Sequence, residues 1–468
     1  MNLVAIHRVS FECVSRFSLK HRESGDGFSG CRIVNSRGRN RPIRRLHAVT
    51  ASLITSADSF EVGRLIGSYG FMNVTSVFEL GYIDLSYDYC ASLARLCYVC
   101  WSSFTLLSAA VFYFVYLAFH HFYTPSYTGL QSGSDFEYTS DDIGRLKSQD
   151  IGEGAVKIRL YQGRISQGPF RGTPVVFKVY PGQRAGGVEA DMMAANELNA
   201  HSFLQSKSLP ANLLLLVGGF ETQLGEQWLA FRDGGKDSAA DYAQTASEKT
   251  TRARSQGVWN PYEKEQMIKR RRNFVIKILQ GAMKGLAFMH DNDRLHQSLG
   301  PSSIVLNTPA EREAIYLIPR LRDLAFSVDI RPSCLEEGAT SGSLSEQLWR
   351  RANAAGAYTV FEKRAFGIAD DIYEAGLLFA YLAFVPFCEA GVTDSLSLQR
   401  LLENTFRLDI EAVREYCLAD ERLEEAVKFL DLGDRAGWEL LQAMLNADYR
   451  KRPMAEAVLS HRFLNGVV

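Results

Sequence analysis

The sequence lacks several features that would identify a functional class at once. It has no appreciable net charge, because 52 lysines and arginines face 53 aspartates and glutamates, so no overall positive field attracts nucleic acid. Its eight cysteines are scattered, and the single C-x-x-C lies in an apolar run without a second pair or histidines at ligand spacing. We therefore predict no nucleic-acid partner, no disulfide and no cysteine–metal site.

The first 50 residues are poor in acids and lack the early apolar core of a secretory signal. They contain nine arginines and Lys20 against Glu12, Glu23 and Asp26, with serines throughout. This composition is typical of an organellar transit segment, which we assign to residues 1–50. The alternative is a disordered basic tail of a cytosolic protein.

Residues 96–119 are a largely apolar stretch of 24 residues without a charged side chain. A helix of this length spans about 36 Å, which exceeds the roughly 30 Å of a hydrocarbon core. Arg95 precedes it and an aromatic and histidine-containing stretch follows it. We predict one transmembrane helix here, between an N-terminal region (residues 51–95) and a polar linker (residues 120–145). A buried core helix is the alternative.

A strand pattern with two glycines opens the following region. Alternating apolar residues over 151–165 surround Gly152 and Gly154 and predict a strand–turn–strand hairpin. The next apolar strand, 175–179, contains Lys178. This order resembles the glycine-rich loop and the lysine-bearing strand of the protein kinases, although Lys157 stands where the third glycine of that loop belongs.

A helical pattern and two further strands follow. The helix runs from about 188 to 205, and its Glu197 lies 19 residues after Lys178, the kinase spacing for the glutamate that pairs with this lysine. Glu197 on a solvated helix face is the alternative. Apolar runs at 213–217 and 228–231 complete a predicted five-stranded sheet.

The stretch from Leu295 to Leu306, LHQSLGPSSIVL, follows a long amphipathic pattern over 263–290. In register it resembles the kinase catalytic loop, H-R-D-L-K-P-x-N. Ser298 stands at the position of the catalytic aspartate, Gly300 at that of the lysine and Ser303 at that of the metal-binding asparagine. The framework of the loop is retained and its charged residues are replaced.

Later motifs keep the same register. Asp323-Leu324-Ala325 lies where kinases have D-F-G, so the resemblance implies that Asp323 is the magnesium ligand. No A-P-E motif follows, and Glu362 is only a distant candidate for its glutamate. Asp371 begins a pattern similar to the buried central helix of the family, which implies a structural role in holding the catalytic loop. Arg452 matches the family's structural arginine.

The resemblance covers residues 146–467 and implies an α+β, bilobal protein kinase-like fold preceded by a single transmembrane helix. The small lobe would comprise residues 146–233 and the large lobe residues 262–467. The polar stretch between them, 236–261, is interpreted as an insertion around a helix.

The resemblance implies ATP and Mg²⁺ as cofactors, with Gly152, Gly154, Lys178 and Glu197 at the nucleotide and Asp323 at the metal. Because Ser298 replaces the catalytic base, our leading hypothesis is a membrane-anchored pseudokinase that acts on a protein partner as a scaffold or regulator. The layout is similar to that of plant thylakoid kinases, which implies a chloroplast membrane, either thylakoid or envelope. The alternatives are an active Ser/Thr kinase acting on a protein substrate through an atypical loop, and a structural protein that binds no nucleotide.

Overall fold

The computed structural model describes residues 53–71, 156–208, 210–255, 261–336 and 344–466. Several predicted features lie outside these residues: the transit segment 1–50, the span 96–119, the linker 120–145, Gly152 and Gly154. Among the helices within the described ranges, none is long and apolar enough to cross a membrane.

The N-terminal part is built on a five-stranded antiparallel sheet with the strand order β1-β2-β3-β5-β4. Its strands are β1 (Phe60–Phe71), β2 (Val156–Ile165), β3 (Pro174–Tyr180), β4 (Leu216–Glu221) and β5 (Gln227–Arg232). The C-terminal part contains short paired strands: β6 (Asp237–Ser238), β7 (Arg294–Leu295), β8 (Ile304–Leu306), β9 (Arg320–Leu321) and β10 (Val328–Asp329).

The first strand of the sheet comes from a region that the sequence did not assign to the domain. β1 pairs with β2 from Phe60 opposite Ile165 to Phe71 opposite Val156. The turn of the predicted hairpin, at Gly152 and Gly154, lies outside the described residues, and Val156–Ile165 after it is a single continuous strand. β1 lies before residue 146, the predicted start of the small lobe.

Each face of this sheet buries a different set of side chains. On one face Ile158 and Leu229 pack with Met193 and Ala194 of helix α1 (Gln183–Lys207). On the other face an aromatic cluster combines rings from all five strands. It consists of Phe60, Tyr161, Phe177, Phe220 and Trp228. The alternation of buried side chains along each strand thus fixes which residues face α1.

Helices dominate the C-terminal part. They are α2 (Ala239–Ser255), α3 (Pro261–Asp291), α4 (Pro332–Glu336), α5 (Glu346–Ala354), α6 (Val360–Phe384), α7 (Ser395–Arg400), α8 (Ile410–Leu418), α9 (Glu424–Leu430), α10 (Leu432–Met444), α11 (Ala455–Ser460) and α12 (Arg462–Asn465). A sheet-rich part followed by a helix-rich part is the predicted α+β architecture.

The two longest helices of this part form its core. α3 and α6 contribute many of its fully buried apolar side chains, among them Phe274, Leu286, Ile372 and Phe379. The helical period over 263–290 therefore predicted α3 within two residues at each end. The polar stretch 236–261 is largely helical, since α2 occupies most of it.

Glu362 caps a helix. Its backbone N–H donates to Thr359 Oγ1 at 3.2 Å, and its Oε2 accepts the N–H of Thr359 at 3.0 Å, which forms a capping box at the start of α6. The interpretation of Glu362 as the A-P-E glutamate is therefore not supported by its contacts.

Candidate functional site

Lys178, Glu197 and Asp323 form a buried ion triad between the two parts of the chain. The Lys178 Nζ atom lies 2.8 Å from Glu197 Oε2 and 2.8 Å from Asp323 Oδ1. The three residues are 3%, 1% and 2% exposed. Isolated charges at such depth would be strongly unfavourable, so each depends on the others for compensation. The structure thus brings together the three charged residues that the sequence singled out.

The local structure explains how these side chains meet. Lys178 lies in the middle of β3, between Leu160 of β2 and Leu229 of β5. Glu197 lies on α1, and the hydroxyl of Tyr180, two residues after Lys178, donates to its Oε2. Burial raises the pKa of Glu197, and the nearby ammonium of Lys178 opposes that shift.

Asp323 has a second cationic neighbour that the sequence did not indicate. Arg322 Nε lies 3.2 Å from Asp323 Oδ2 and also donates to the carbonyl of Ser302 at 3.0 Å. Both carboxylate oxygens of Asp323 therefore contact a cation. The residue has a φ of 69°, the left-handed region, which aspartate tolerates better than most side chains.

This donor set suits a nucleotide phosphate better than it suits a metal ion. Lys178 supplies a point charge, whereas Mg²⁺ prefers several oxygen ligands. In the described part of the chain, no group of three or more His, Cys, Asp or Glu side chains could hold a metal. An ion at Asp323 would compete with Lys178 and Arg322 for this carboxylate.

Asp371 holds the loop that contains Ser298 by accepting hydrogen bonds from the loop backbone, as predicted. Asp371 Oδ2 accepts the N–H of His296 at 2.8 Å, and Oδ1 accepts the N–H of Gln297 at 2.9 Å. His290 Nε2 lies 2.9 Å from Oδ2. Burial works against the charge on Asp371, but the contacts with His290 and with the backbone of His296 outweigh it and lower the pKa of this carboxyl. Asp371 is therefore an anionic anchor for the loop.

Each replaced residue of the loop has a structural contact of its own. The Ser298 hydroxyl donates to the backbone carbonyl of Asp323 at 2.8 Å. The Ser303 hydroxyl donates to the Gly300 carbonyl at 2.7 Å and accepts the N–H of Gly300 at 2.9 Å. Ser298 and Ser303 are 4% and 1% exposed. Their hydroxyls stabilise the loop and provide no proton acceptor near neutral pH.

Asn196 is a contact residue that sequence reasoning missed. Its Nδ2 donates to the carbonyls of Ala325 at 2.7 Å and Ser327 at 2.8 Å. These bonds join α1 to the segment that follows Asp323. Because Asn196 precedes Glu197, they also fix the position of the glutamate relative to Asp323. The only available signal was its place beside Glu197.

Glu374 is a second residue that sequence reasoning missed. It lies on α6 one turn after Asp371, and its Oε2 accepts the N–H of Leu299 at 3.0 Å. Burial, with the charges of Asp370 and Asp371, raises the pKa of Glu374 to about 8. An acidic group with a pKa near neutrality therefore contacts the residue next to Ser298.

Comparisons with known proteins add a structural neighbour. No family model matches the chain, and no curated protein matches it. The fold is similar to that in the "Crystal structure of a Stt7 homolog from Micromonas algae soaked with ATP", with a TM-score of 0.44 and 17% sequence identity. The likeness covers 66% of this chain and 89% of that one.

Proposed function

We propose that the protein is a kinase-like pseudokinase that binds ATP and acts as a scaffold or regulator of a protein partner. One observation supports this most strongly: Lys178 contacts both Glu197 and Asp323 at 2.8 Å, while Ser298 occupies the position of the catalytic base. The charged residues that hold nucleotide in a kinase are in place, and the residue that accepts the substrate proton is replaced.

In this proposal each residue has its own role in nucleotide binding. Lys178 would contact the nucleotide phosphates, and Glu197 orients Lys178 through their ion pair. Asp323 would hold Mg²⁺, which neutralises phosphate charge when bound. Gly152 and Gly154 remain candidates for the backbone that approaches the phosphates. Arg322 already neutralises part of the charge of Asp323, so we expect Mg²⁺ to add little to ATP binding.

Phosphoryl transfer would lack its general base. Base catalysis contributes about 10²–10⁴-fold in enzymes, and the Ser298 hydroxyl instead donates to a backbone carbonyl. The replacement of the lysine and asparagine by Gly300 and Ser303 removes further charge stabilisation. These losses act on one unit and do not simply add.

Thermal unfolding of the full chain with and without Mg-ATP tests nucleotide binding. A ligand that binds only the folded state raises the unfolding midpoint. At a ligand concentration a hundred times its Kd, the folded state is stabilised by about 2.7 kcal/mol. We expect the midpoint to rise in the wild type, to rise similarly with ATP and a chelator, and to be unchanged by ATP in Lys178→Met. Exposed Lys249 gives the matched control, Lys249→Met.

Two outcomes would contradict the proposal. No change at millimolar ATP would favour the structural protein that binds no nucleotide, and an equal rise in Lys178→Met would place ATP binding away from Lys178. Radiolabel transfer from ATP to a protein that survives Ser298→Ala and is lost in Lys178→Met would favour an active kinase.

The contact between Glu374 and Leu299 gives the active-kinase alternative a specific residue. A general base is most efficient when its pKa lies near the operating pH, and burial raises the pKa of the Glu374 carboxyl toward that range. If the chain transfers phosphate, Glu374→Gln should reduce the rate by at least about tenfold. An unchanged rate would exclude Glu374 from that role.

We also propose that the protein is anchored in a chloroplast membrane through residues 96–119. The support is the acid-poor composition of residues 1–50 and the uncharged length of the predicted span. Imaging a fluorescent fusion to residues 1–60 tests the compartment, and alkaline carbonate extraction of the full chain tests the anchor. A cytosolic fusion, or a chain released by carbonate, would contradict the respective part.

A further inference from the structure

A cavity of about 550 Å³ adjoins the connection between β5 and β6. The C-terminal turns of α1 line it, together with the loop before β4 and residues 232–235. Lys178, Glu197 and Asp323 do not line it. The ion triad is therefore not part of its wall, and the size of the cavity is that of a site for a small organic molecule.

Two arginines give the cavity a positive end. Arg232 and Arg320 both line it. Arg320 Nη1 donates to the carbonyl of Gly234 at 3.3 Å, and neither arginine forms an ion pair with a carboxylate of the described residues. Burial lowers the pKa of Arg320, and the charge of Arg232 lowers it further. The two guanidiniums are thus close enough to repel each other.

The acidic side chain in the wall does not neutralise this charge. Asp233 Oδ1 accepts the backbone N–H of Gly235 at 3.0 Å, which holds it in the turn after β5. Both arginines therefore keep donors available, and guanidinium donors bind carboxylates and phosphates in two-pronged geometry.

The rest of the wall combines aliphatic side chains with the polar side chains of His201, Gln205 and Asn307. Leu204, Leu213 and Leu214 contribute aliphatic surface. His201 lines the same cavity and is 1% exposed, and its Nε2 has no hydrogen-bond partner among the described residues. Burial lowers the pKa of His201 to about 3, so the ring is neutral at physiological pH. The Nε2 atom lies 4.0 Å from Glu197 Oε1, and the neutral ring adds no charge to the wall.

We propose that this cavity is a binding site for a small organic anion, with a carboxylate or phosphate at Arg232 and Arg320 and an apolar body against the leucines. The arginines would bind the anionic group of such a ligand, and the leucines would contact its apolar body. Inorganic phosphate would satisfy only the arginines, and a neutral apolar molecule only the leucines.

Thermal unfolding and calorimetric titration of the full chain with three probes test this site. The probes are phenylbutyrate, phenyl phosphate and the neutral phenylbutanol. We expect at least one of the two anions to bind, and phenylbutanol to bind at least about tenfold more weakly, since it cannot form charged hydrogen bonds with the arginines.

The variants assign the binding to the arginines. Arg232→Gln should weaken the anion about tenfold, and Arg320→Gln should do the same if it folds as the wild type. Arg232 is exposed and Arg320 has a backbone bond, so Arg232→Gln is the primary variant. Exposed Arg171, which does not line the cavity, gives the matched control Arg171→Gln.

The proposal is overturned if neither anion binds at millimolar concentration, if Arg232→Gln leaves binding unchanged, or if phenylbutanol binds as tightly as the anions. Anion binding that disappears in Lys178→Met would place the ligand at the nucleotide site and would also overturn it. Binding retained in Lys178→Met supports the proposal even if ATP does not bind.

Discussion

The hydroxyl of Ser298 donates a hydrogen bond to the backbone carbonyl of Asp323 over 2.8 Å. This bond joins the loop at the catalytic position to the residue proposed to ligate metal. The serine hydroxyl satisfies a carbonyl that an aspartate carboxylate could not, so Ser298 stabilises the loop.

We expect Ser298→Asp to destabilise the protein and not to restore transfer. A carboxylate at a position that is 4% exposed would face the carbonyl oxygen of Asp323 without a donor, which costs about 1–3 kcal/mol. Urea unfolding measures the change. Ser298→Ala, which only loses the bond, should cost about 1 kcal/mol. A Ser298→Asp variant as stable as the wild type and active in radiolabel transfer would refute this account.

Asn196→Ala should destabilise the contact between α1 and the segment after Asp323. The change leaves the carbonyls of Ala325 and Ser327 without their side-chain donor, which costs about 1–3 kcal/mol. The same variant should weaken ATP binding, because the helix that carries Glu197 is less firmly positioned. Exposed Asn199 on the same helix gives the control, Asn199→Ala. Equal stability of the two variants would show that the hydrogen bonds of Asn196 do not hold α1 to this segment.

Local patterns predicted the elements on which the site is built. The helical period defined α3, and the spacing from Lys178 to Glu197 predicted an ion pair that is present at 2.8 Å. The role of Asp371 in holding the loop was predicted from the family resemblance, although Asp371 lies within α6 and not at its start. In each case the information lies within a short segment or in a fixed separation along the chain.

The missed features depend on contacts between distant segments. β1 precedes β2 by 84 residues, and strand pairing over such a distance leaves no local signal. The bond from Asn196 to Ala325 and the contact of Arg322 with Asp323 depend on side-chain direction, which spacing alone does not determine. Glu374 was hidden because its family motif has a different residue type at that position.

Gly163→Ala tests whether residues 60–71 form the edge strand. A Cβ atom at Gly163 would lie 2.6 Å from the carbonyl oxygen of Glu61 in β1 and 2.4 Å from the Phe177 ring. Relief of this overlap requires β1 to move, so we expect a loss of about 1–3 kcal/mol in urea unfolding. At Gly67, in the same strand pair, an added Cβ meets nothing within 4 Å. Gly67→Ala should therefore be nearly neutral, and an equal cost of both would contradict the pairing.

Glu374→Gln should stabilise the protein increasingly as pH rises. Burial and the neighbouring carboxylates raise the pKa of Glu374 from 4.5 to about 8 in the folded chain. The stability that this carboxyl contributes is therefore fully present below about pH 4.5, and it declines as pH rises toward about 8. Glutamine cannot ionise and keeps an oxygen to accept the N–H of Leu299.

The measurement compares urea unfolding of the wild type and Glu374→Gln between pH 5 and 8. We expect the difference to be smallest at the acidic end and to grow by about 3 kcal/mol in favour of glutamine toward pH 8. Glu456→Gln, which removes an exposed carboxylate, is the control. A constant difference, or one that grows toward acid, would show that Glu374 is ionised in the folded protein. Only a carboxyl that the fold keeps protonated makes the free energy of unfolding fall as the pH rises.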